Sequence, residues 1–109
     1  MPGAQTLPRG NIILAGIYSL TISPASVAAN TTAEQTFTLT GLAIGDVVSV
    51  TKPTTQAGLG IVNSRVSAVN TLALAFANTT ASPIVPTAGE AYTVELNRPE
   101  NLPLPTVIV

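Results

Sequence analysis

The chain carries five acids, Glu34, Asp46, Glu90, Glu95 and Glu100, and neither histidine nor cysteine. General acid–base catalysis relies on His or on a carboxylate whose pKa is shifted toward neutrality. Without His, that work would fall to two carboxylates meeting in space, as in glycoside hydrolysis. The five acids are isolated from one another in sequence, and a hydrolase would need Glu90 and Glu95 to converge. Glu95 reads instead as a residue of a solvated strand face. A Ser–Lys nucleophile would need Lys52 buried beside Ser49 or Ser64, yet Lys52 precedes Pro53 at a strand end, where exposure is expected. Gly58-Leu59-Gly60 opens like a phosphate loop but has no third glycine and no following lysine, and it reads as a turn. Calcium sites gather several oxygen ligands in one short loop, whereas the acid of Gly45-Asp46 stands alone. The expectation is a non-enzyme with no catalytic, cofactor-binding or metal residue.

Two further patterns fit binding or modification poorly. Asn30-Thr31-Thr32 and Asn78-Thr79-Thr80 match the glycosylation acceptor pattern, but a Thr-rich chain produces such matches by chance. A carbohydrate platform presents aromatic rings, and here there are only Tyr18, Phe37, Phe76 and Tyr92. Phe37, Phe76 and Tyr92 fall on the apolar sides of their segments and read as core. Tyr18 is the one aromatic expected at the surface.

The elements that would position these residues are strands. Gln35 to Thr40 sets Phe37 and Leu39 against Thr36, Thr38 and Thr40, the period of two that marks a half-buried antiparallel strand. Thr71 to Asn78 repeats the pattern, with Leu72, Leu74 and Phe76 opposite Ala73, Ala75 and Ala77. Alanine favours helix, but the large residues recur every second position and the segment is short. Ala91 to Asn97 alternates Tyr92, Val94 and Leu96 with Thr93, Glu95 and Asn97. Val47 to Thr51, Ile61 to Ala68 and a first strand from Ile17, stopped at Pro24, complete a set of six. In Ile61 to Ala68, Val62, Ser64 and Val66 are expected to oppose Ile61, Asn63, Arg65 and Ser67. Gly45-Asp46, Pro53, Gly58 and Val69-Asn70 punctuate these segments. The expected fold is all-β: a small antiparallel β-sandwich or barrel, jelly-roll-like, with extended N- and C-terminal arms. Residues 1–16 form the N-terminal arm, 17–98 the sandwich, and 99–109 a C-terminal arm or an added strand.

Composition narrows the function. Of the 109 residues, 46% are hydrophobic and only 8% charged, with a net charge of -1; soluble domains carry about 25% charged residues. Thr, Ser and Asn must therefore supply the polar surface. Arg9, Lys52, Arg65 and Arg98 are scattered, which leaves no patch to displace counterions from phosphates, so a nucleic-acid partner is not expected. Nor is a membrane or a small-molecule substrate. The apolar run Ile12 to Ile22 is shorter than the ~20 residues that span a bilayer. Ser26-Val27-Ala28-Ala29 after it looks like a cleavage site, but prolines precede the run, and Tyr18, Ser19 and Thr21 interrupt it; a signal peptide is not the favoured reading.

The surface that remains suits assembly, because a weakly charged chain has little self-repulsion. The Ala73, Ala75, Ala77 face is either an outer wall covered by loops or a flat face for another subunit. The apolar Val107-Ile108-Val109 either closes the domain's own sandwich or docks on a neighbour, for example at a sheet edge. These six residues are the interface candidates.

Three stretches carry a family resemblance: SLTISPASVAANTTAEQTFTLTGL (19–42), GDVVSVTKP (45–53) and QAGLGIVNSRVSA (56–68). They resemble small virion proteins of tailed bacteriophages, and in size the chain is similar to capsid cement (decoration) proteins. The resemblance spans about residues 19–98. It implies a β domain, often trimeric, that clamps neighbouring major capsid protein subunits on the capsid surface. It implies no catalytic residue and transfers no binding residue by position. A ligand- or receptor-binding β module of a tail fibre or adhesin, acting through loops 54–60 and 78–90, is the alternative.

Overall fold

The computed structural model describes residues 10–108. It contains six strands and, among the described residues, no helix: β1 (Ile12–Ile22), β2 (Thr31–Thr38), β3 (Val47–Thr51), β4 (Leu59–Ala68), β5 (Thr71–Asn78) and β6 (Glu90–Pro99). They form two antiparallel three-stranded sheets, ordered β1-β6-β3 and β2-β5-β4. This is the small all-β sandwich that the alternation predicts. Only β4 and β5 are joined by a hairpin; every other connection crosses between sheets.

The two central strands fill the core. Leu72, Leu74 and Phe76 of β5 face Tyr92, Val94 and Leu96 of β6, all buried, with Ile22, Val27 and Leu42 closing the ends. Phe37, Val48, Val50, Ile61 and Val66 pack around them from the flanking strands. Fully burying each such side chain contributes about 1.5–3 kcal/mol, so the six central residues dominate the fold's cohesion.

Several boundaries differ from the sequence reading. The first strand starts at Ile12, not Ile17, so residues 12–16 belong to the sandwich; the rest of the expected N-terminal arm, residues 1–9, lies outside the described residues. Ile12-Ile13-Leu14-Ala15 shows no alternation because it runs along a sheet edge, with Ile13, Leu14 and Ala15 exposed. The second strand occupies Thr31–Thr38, four residues earlier than the expected start and two before the expected end, because polar Thr31 to Glu34 pair with the far half of β5. In β4 the register shifts between Ile61 and Asn63. The bulge leaves Val62 outside and turns Ile61, Ser64 and Val66 inward, which breaks the strict alternation expected there.

The sandwich closes on one side only. Across β3 and β4, the Ser64 hydroxyl donates to the Val48 carbonyl at 3.2 Å. Between β1 and β2 the lower half is filled by segment 23–30. There the Gln35 amide brackets Ala25, accepting from its N–H at 2.8 Å and donating to its carbonyl at 2.9 Å. Among the described residues, the upper half of that side holds a cleft.

Candidate assembly surface

Among the described residues, three ion pairs join Asp46 to Arg98, Glu90 to Lys52 and Glu34 to Arg65, and each has a structural position. Arg98 grips Asp46 with two bonds, Nε to Oδ1 at 2.8 Å and Nη2 to Oδ2 at 2.9 Å, and gives a third to the Gly41 carbonyl. Asp46 also accepts from the Ala43 N–H, so the pair ties loop 41–46 to β6. The hydrogen bonds from Arg98 hold the buried Asp46 carboxyl below its ordinary pKa, against the opposing cost of burial.

The second pair corrects the reading of Lys52. Its side chain is only 10% exposed, and Nζ lies 2.9 Å from Glu90 Oε1. That contact is off hydrogen-bond alignment. The ammonium donates instead to the carbonyl and hydroxyl of Thr54, and Thr54 donates to the other Glu90 oxygen. The Thr54 hydrogen bond first, and then the Lys52 ammonium beside the carboxylate, lower the Glu90 pKa. Lys52 is therefore a neutralised strut. Ser49 sits exposed on the opposite face, and the Ser64 hydroxyl is spent on Val48, so no Ser–Lys nucleophile forms. Glu90 and Glu95 point to opposite faces of β6: Glu90 lies beside Lys52, whereas Glu95 sits on the outer face between Ile17 and Ser49. The carboxylate pair that a hydrolase would need does not converge.

The third pair decides the condition of the alanine face. Glu34 lies opposite Ala75, and Arg65 lies opposite Ala73, on the two flanks of β5. They meet across that strand in a bidentate bridge, Nε to Oε2 and Nη2 to Oε1, both 2.8 Å. Only a methyl side chain lets such a bridge lie flat. Ala73 beneath it is fully buried, while Ala75 and Ala77 are half-buried. The arginine's bonds lower the Glu34 pKa. The face is roofed by the chain's own charges and bordered by Thr32, Thr36 and Asn63.

The apolar surface collects elsewhere. Ile13 and Leu14 open β1, Ile44 and Val47 lead into β3, Val69 tips the β4–β5 hairpin, and Leu102 follows β6; all are exposed, by 38–64%. The register brings them together: Ile12 pairs with Pro99 and Val47 with Asn97. The hairpin residue Asn70, in the left-handed conformation (φ 59), bonds to Leu39, Gly41 and Leu42. One end of the sandwich thus carries an apolar rim. At the other end Val85 is exposed, and the loops are tied by Gln56 to Val85 and Thr87 and by Asn78 to Val27 and Ser82.

Residues 100–108 are exposed and form no strand. The Glu100 N–H donates to the Asn11 carbonyl, and Leu102 rests on Gly45, where a Cβ would stand 2.6 Å from Leu102 Cδ1. Val107 is 66% exposed and Ile108 completely so; Val109 lies outside the described residues. The segment does not close the domain's own sandwich.

Beside the rim, the upper side forms a cleft of about 160 Å³ lined by Leu14, Tyr18, Leu39, Thr40, Gly41, Leu42, Leu96 and Arg98. Tyr18, the aromatic expected at the surface, is 42% exposed. Its ring folds back over Gly16, where a Cβ would lie 2.5 Å from Oη. Phe76 and Tyr92 are buried core residues and Phe37 packs against them, as the alternation predicts. Asn78 of the second glycosylation-like motif is buried, and its amide is fully bonded within the fold, which leaves no access for modification in the folded chain. Sequence reasoning missed the cleft and the rim, because both depend on the β1–β6 register. Comparison with protein-family models, curated proteins and solved structures gives no match, so the residues and their geometry carry the functional argument.

Proposed function

We propose that the chain is a structural protein of a virion: a capsid cement protein that stabilises a phage head by binding between major capsid protein subunits, as a homotrimer on the capsid surface. The observation that supports this reading is the apolar rim, Ile13, Leu14, Ile44, Val47, Val69 and Leu102, gathered at one end of the fold, with Ile17, Val62 and Val85 exposed singly elsewhere. Specific interfaces bury more than ~1,000 Å², and a rim continued by an exposed apolar segment offers area of that kind. The resemblance of residues 19–98 to small phage virion proteins supplies the shell as partner. The test is co-sedimentation of the purified chain with assembled capsids, together with its mass by light scattering. Saturable binding and a trimer mass are expected; a monomer that stays in the supernatant overturns the reading.

A second reading has one observation in its favour. Loops 54–60 and 78–90 converge at the end opposite the rim, where Gln56 clasps Val85 and Thr87 and Thr79 bonds to Gly58. Held together, they make the face a receptor- or glycan-binding module of a tail fibre or adhesin would use. Saturable binding on a glycan array, lost on substituting Gln56, would favour it over the cement role.

A further inference from the structure

Among the described residues, the carboxylates can be accounted for one by one. Asp46, Glu90 and Glu34 each hold a cation, Arg98, Lys52 and Arg65 respectively. Glu100 is engaged where the chain leaves β6. Glu95 is the exception: it is exposed and makes neither an ion pair nor a side-chain hydrogen bond.

Its place is central. β6 is the middle strand of its sheet, and Glu95 stands between Ile17 on β1 and Ser49 on β3. Val94 and Leu96 on either side of it are buried, so the alternation of the strand turns the carboxylate outward. The floor of this outer face is small and uncharged: Ala15, Ser19, Ser49, Thr51, Ala91 and Thr93 are all exposed. Ile17, 72% exposed, and Val47 rise from it as large apolar side chains. The outer face of the other sheet treats its carboxylate in the opposite way, since Glu34 there is clasped by Arg65.

A neutral sheet face with one uncompensated charge at its middle has a defined complement. A partner that covers it must bring a cation to Glu95, because a carboxylate buried without a partner is costly. It must also bring apolar surface to Ile17 and Val47. A second copy does not meet that need. Two copies related by a two-fold axis centred on this face would set Glu95 against Glu95, and Lys52, Arg65 and Arg98 already hold carboxylates of their own. The face spans roughly 15 by 25 Å, about half of the ~800 Å² that each side of a standard interface buries. The rim adjoins it through Val47 and extends the area.

We propose that the outer face of the β1-β6-β3 sheet docks on the major capsid protein, and that the capsid subunit presents a lysine or arginine to Glu95 between apolar contacts to Ile17 and Val47. This rests on the capsid reading and adds to it the face that is used and the charge of the site that receives it. The single charge also sets the register of docking, because a slip by one strand, ~4.8 Å, leaves both charges unpaired.

The test is co-sedimentation of purified variants with assembled capsids at low and high salt. Glu95→Gln is expected to weaken binding about tenfold at low salt and to flatten its salt dependence, and Glu95→Lys to weaken it further. Thr32→Lys, on the outer face of the other sheet, changes the net charge as much as Glu95→Gln does and is expected to bind like the wild type. The urea midpoint of Glu95→Gln should match the wild type, which separates lost binding from lost folding. Wild-type affinity in both Glu95 variants overturns the inference and leaves the capsid reading standing. So does an equal loss in Thr32→Lys, which would make net charge the cause. Tighter self-association of Glu95→Gln by light scattering, with capsid binding intact, places the face between copies and overturns it as well. A wild-type chain that does not bind capsids overturns both.

Discussion

The two sheets give the core the same service and the exterior opposite ones. β5 and β6 each send three large side chains inward, and both are central strands. Outside, the β5 sheet is the more polar: Ala73 lies buried under the Glu34–Arg65 bridge, Ala75 and Ala77 are half-buried, and Thr32, Thr36 and Asn63 flank them, with Val62 exposed on β4. The β6 sheet is the more apolar outside, with Ile13, Leu14 and Ile17 exposed on β1, a cleft beside them and an exposed segment after β6. Small side chains in a central strand therefore do not by themselves mark a docking face. Alanine under an ion pair is covered surface, whereas the large apolar side chains of β1 beside the cleft stand exposed.

The shared core is the part of this comparison with the largest expected effect. Phe76→Ala should destabilise the fold by about 4 kcal/mol, and Leu96→Ala by about 3 kcal/mol, in denaturant melts. A loss confined to one of them would mean that the sheets are not held by a common core.

The ion pair at the rim should matter next. Asp46→Asn leaves Arg98 without its carboxylate and should cost about 2 kcal/mol, below the range for fully buried pairs because the guanidinium reaches solvent. The same variant bears on acid stability. Asp46, Glu34 and Glu90 have folded-state pKa values below their ordinary ones, so near pH 4 the unfolded chain binds more protons than the folded one. Stability is then complete above the unfolded carboxyl values of about 4 and falls as pH drops through the lowered folded-state values. Urea midpoints measured below pH 5 should decline less steeply in Asp46→Asn than in the wild type.

A smaller effect is expected at Tyr92, whose hydroxyl is buried without a protein partner. Tyr92→Phe should be neutral or stabilising by up to about 1 kcal/mol. Burial raises the Tyr92 pKa, with the Glu90 charge adding to the shift. The stability this group contributes is present below its unfolded value of about 10 and lost as pH rises toward the raised folded value, so the phenylalanine variant should resist alkali better. The smallest change in folding, within about 0.5 kcal/mol, is expected for Ile13→Thr with Val47→Thr on the exposed rim. If that double variant melts early, the rim belongs to the fold rather than to an interface.

How much of this was legible in the sequence follows from where each constraint sits. Period-two alternation in Phe37-Leu39, Leu72-Leu74-Phe76 and Tyr92-Val94-Leu96 is local, and those residues lie inside as read. The start of β1 at Ile12 was hidden because an edge strand with apolar residues on both faces has no period. The bulge at Val62 comes from pairing with β5, which no local pattern encodes. Lys52 reads as exposed from its neighbour Pro53; its burial depends on Glu90 and Thr54 arriving from elsewhere in the chain. The alanine row was visible, but its roof joins two residues 31 positions apart. Of the interface candidates, Val107 and Ile108 stand exposed beyond β6, while Ala73 is covered.

The pairing of β1 with β6 also sets a timetable for synthesis. The first strand cannot enter its sheet until the sixth has been made, and the ribosome adds about 5–20 residues per second. The nascent apolar segment 12–22 therefore waits roughly 4–15 s while the β4–β5 hairpin, a local contact, can already form. During that interval the strand lacks its β6 partner, which makes it the place where a chaperone, or a neighbouring nascent copy, would first take hold.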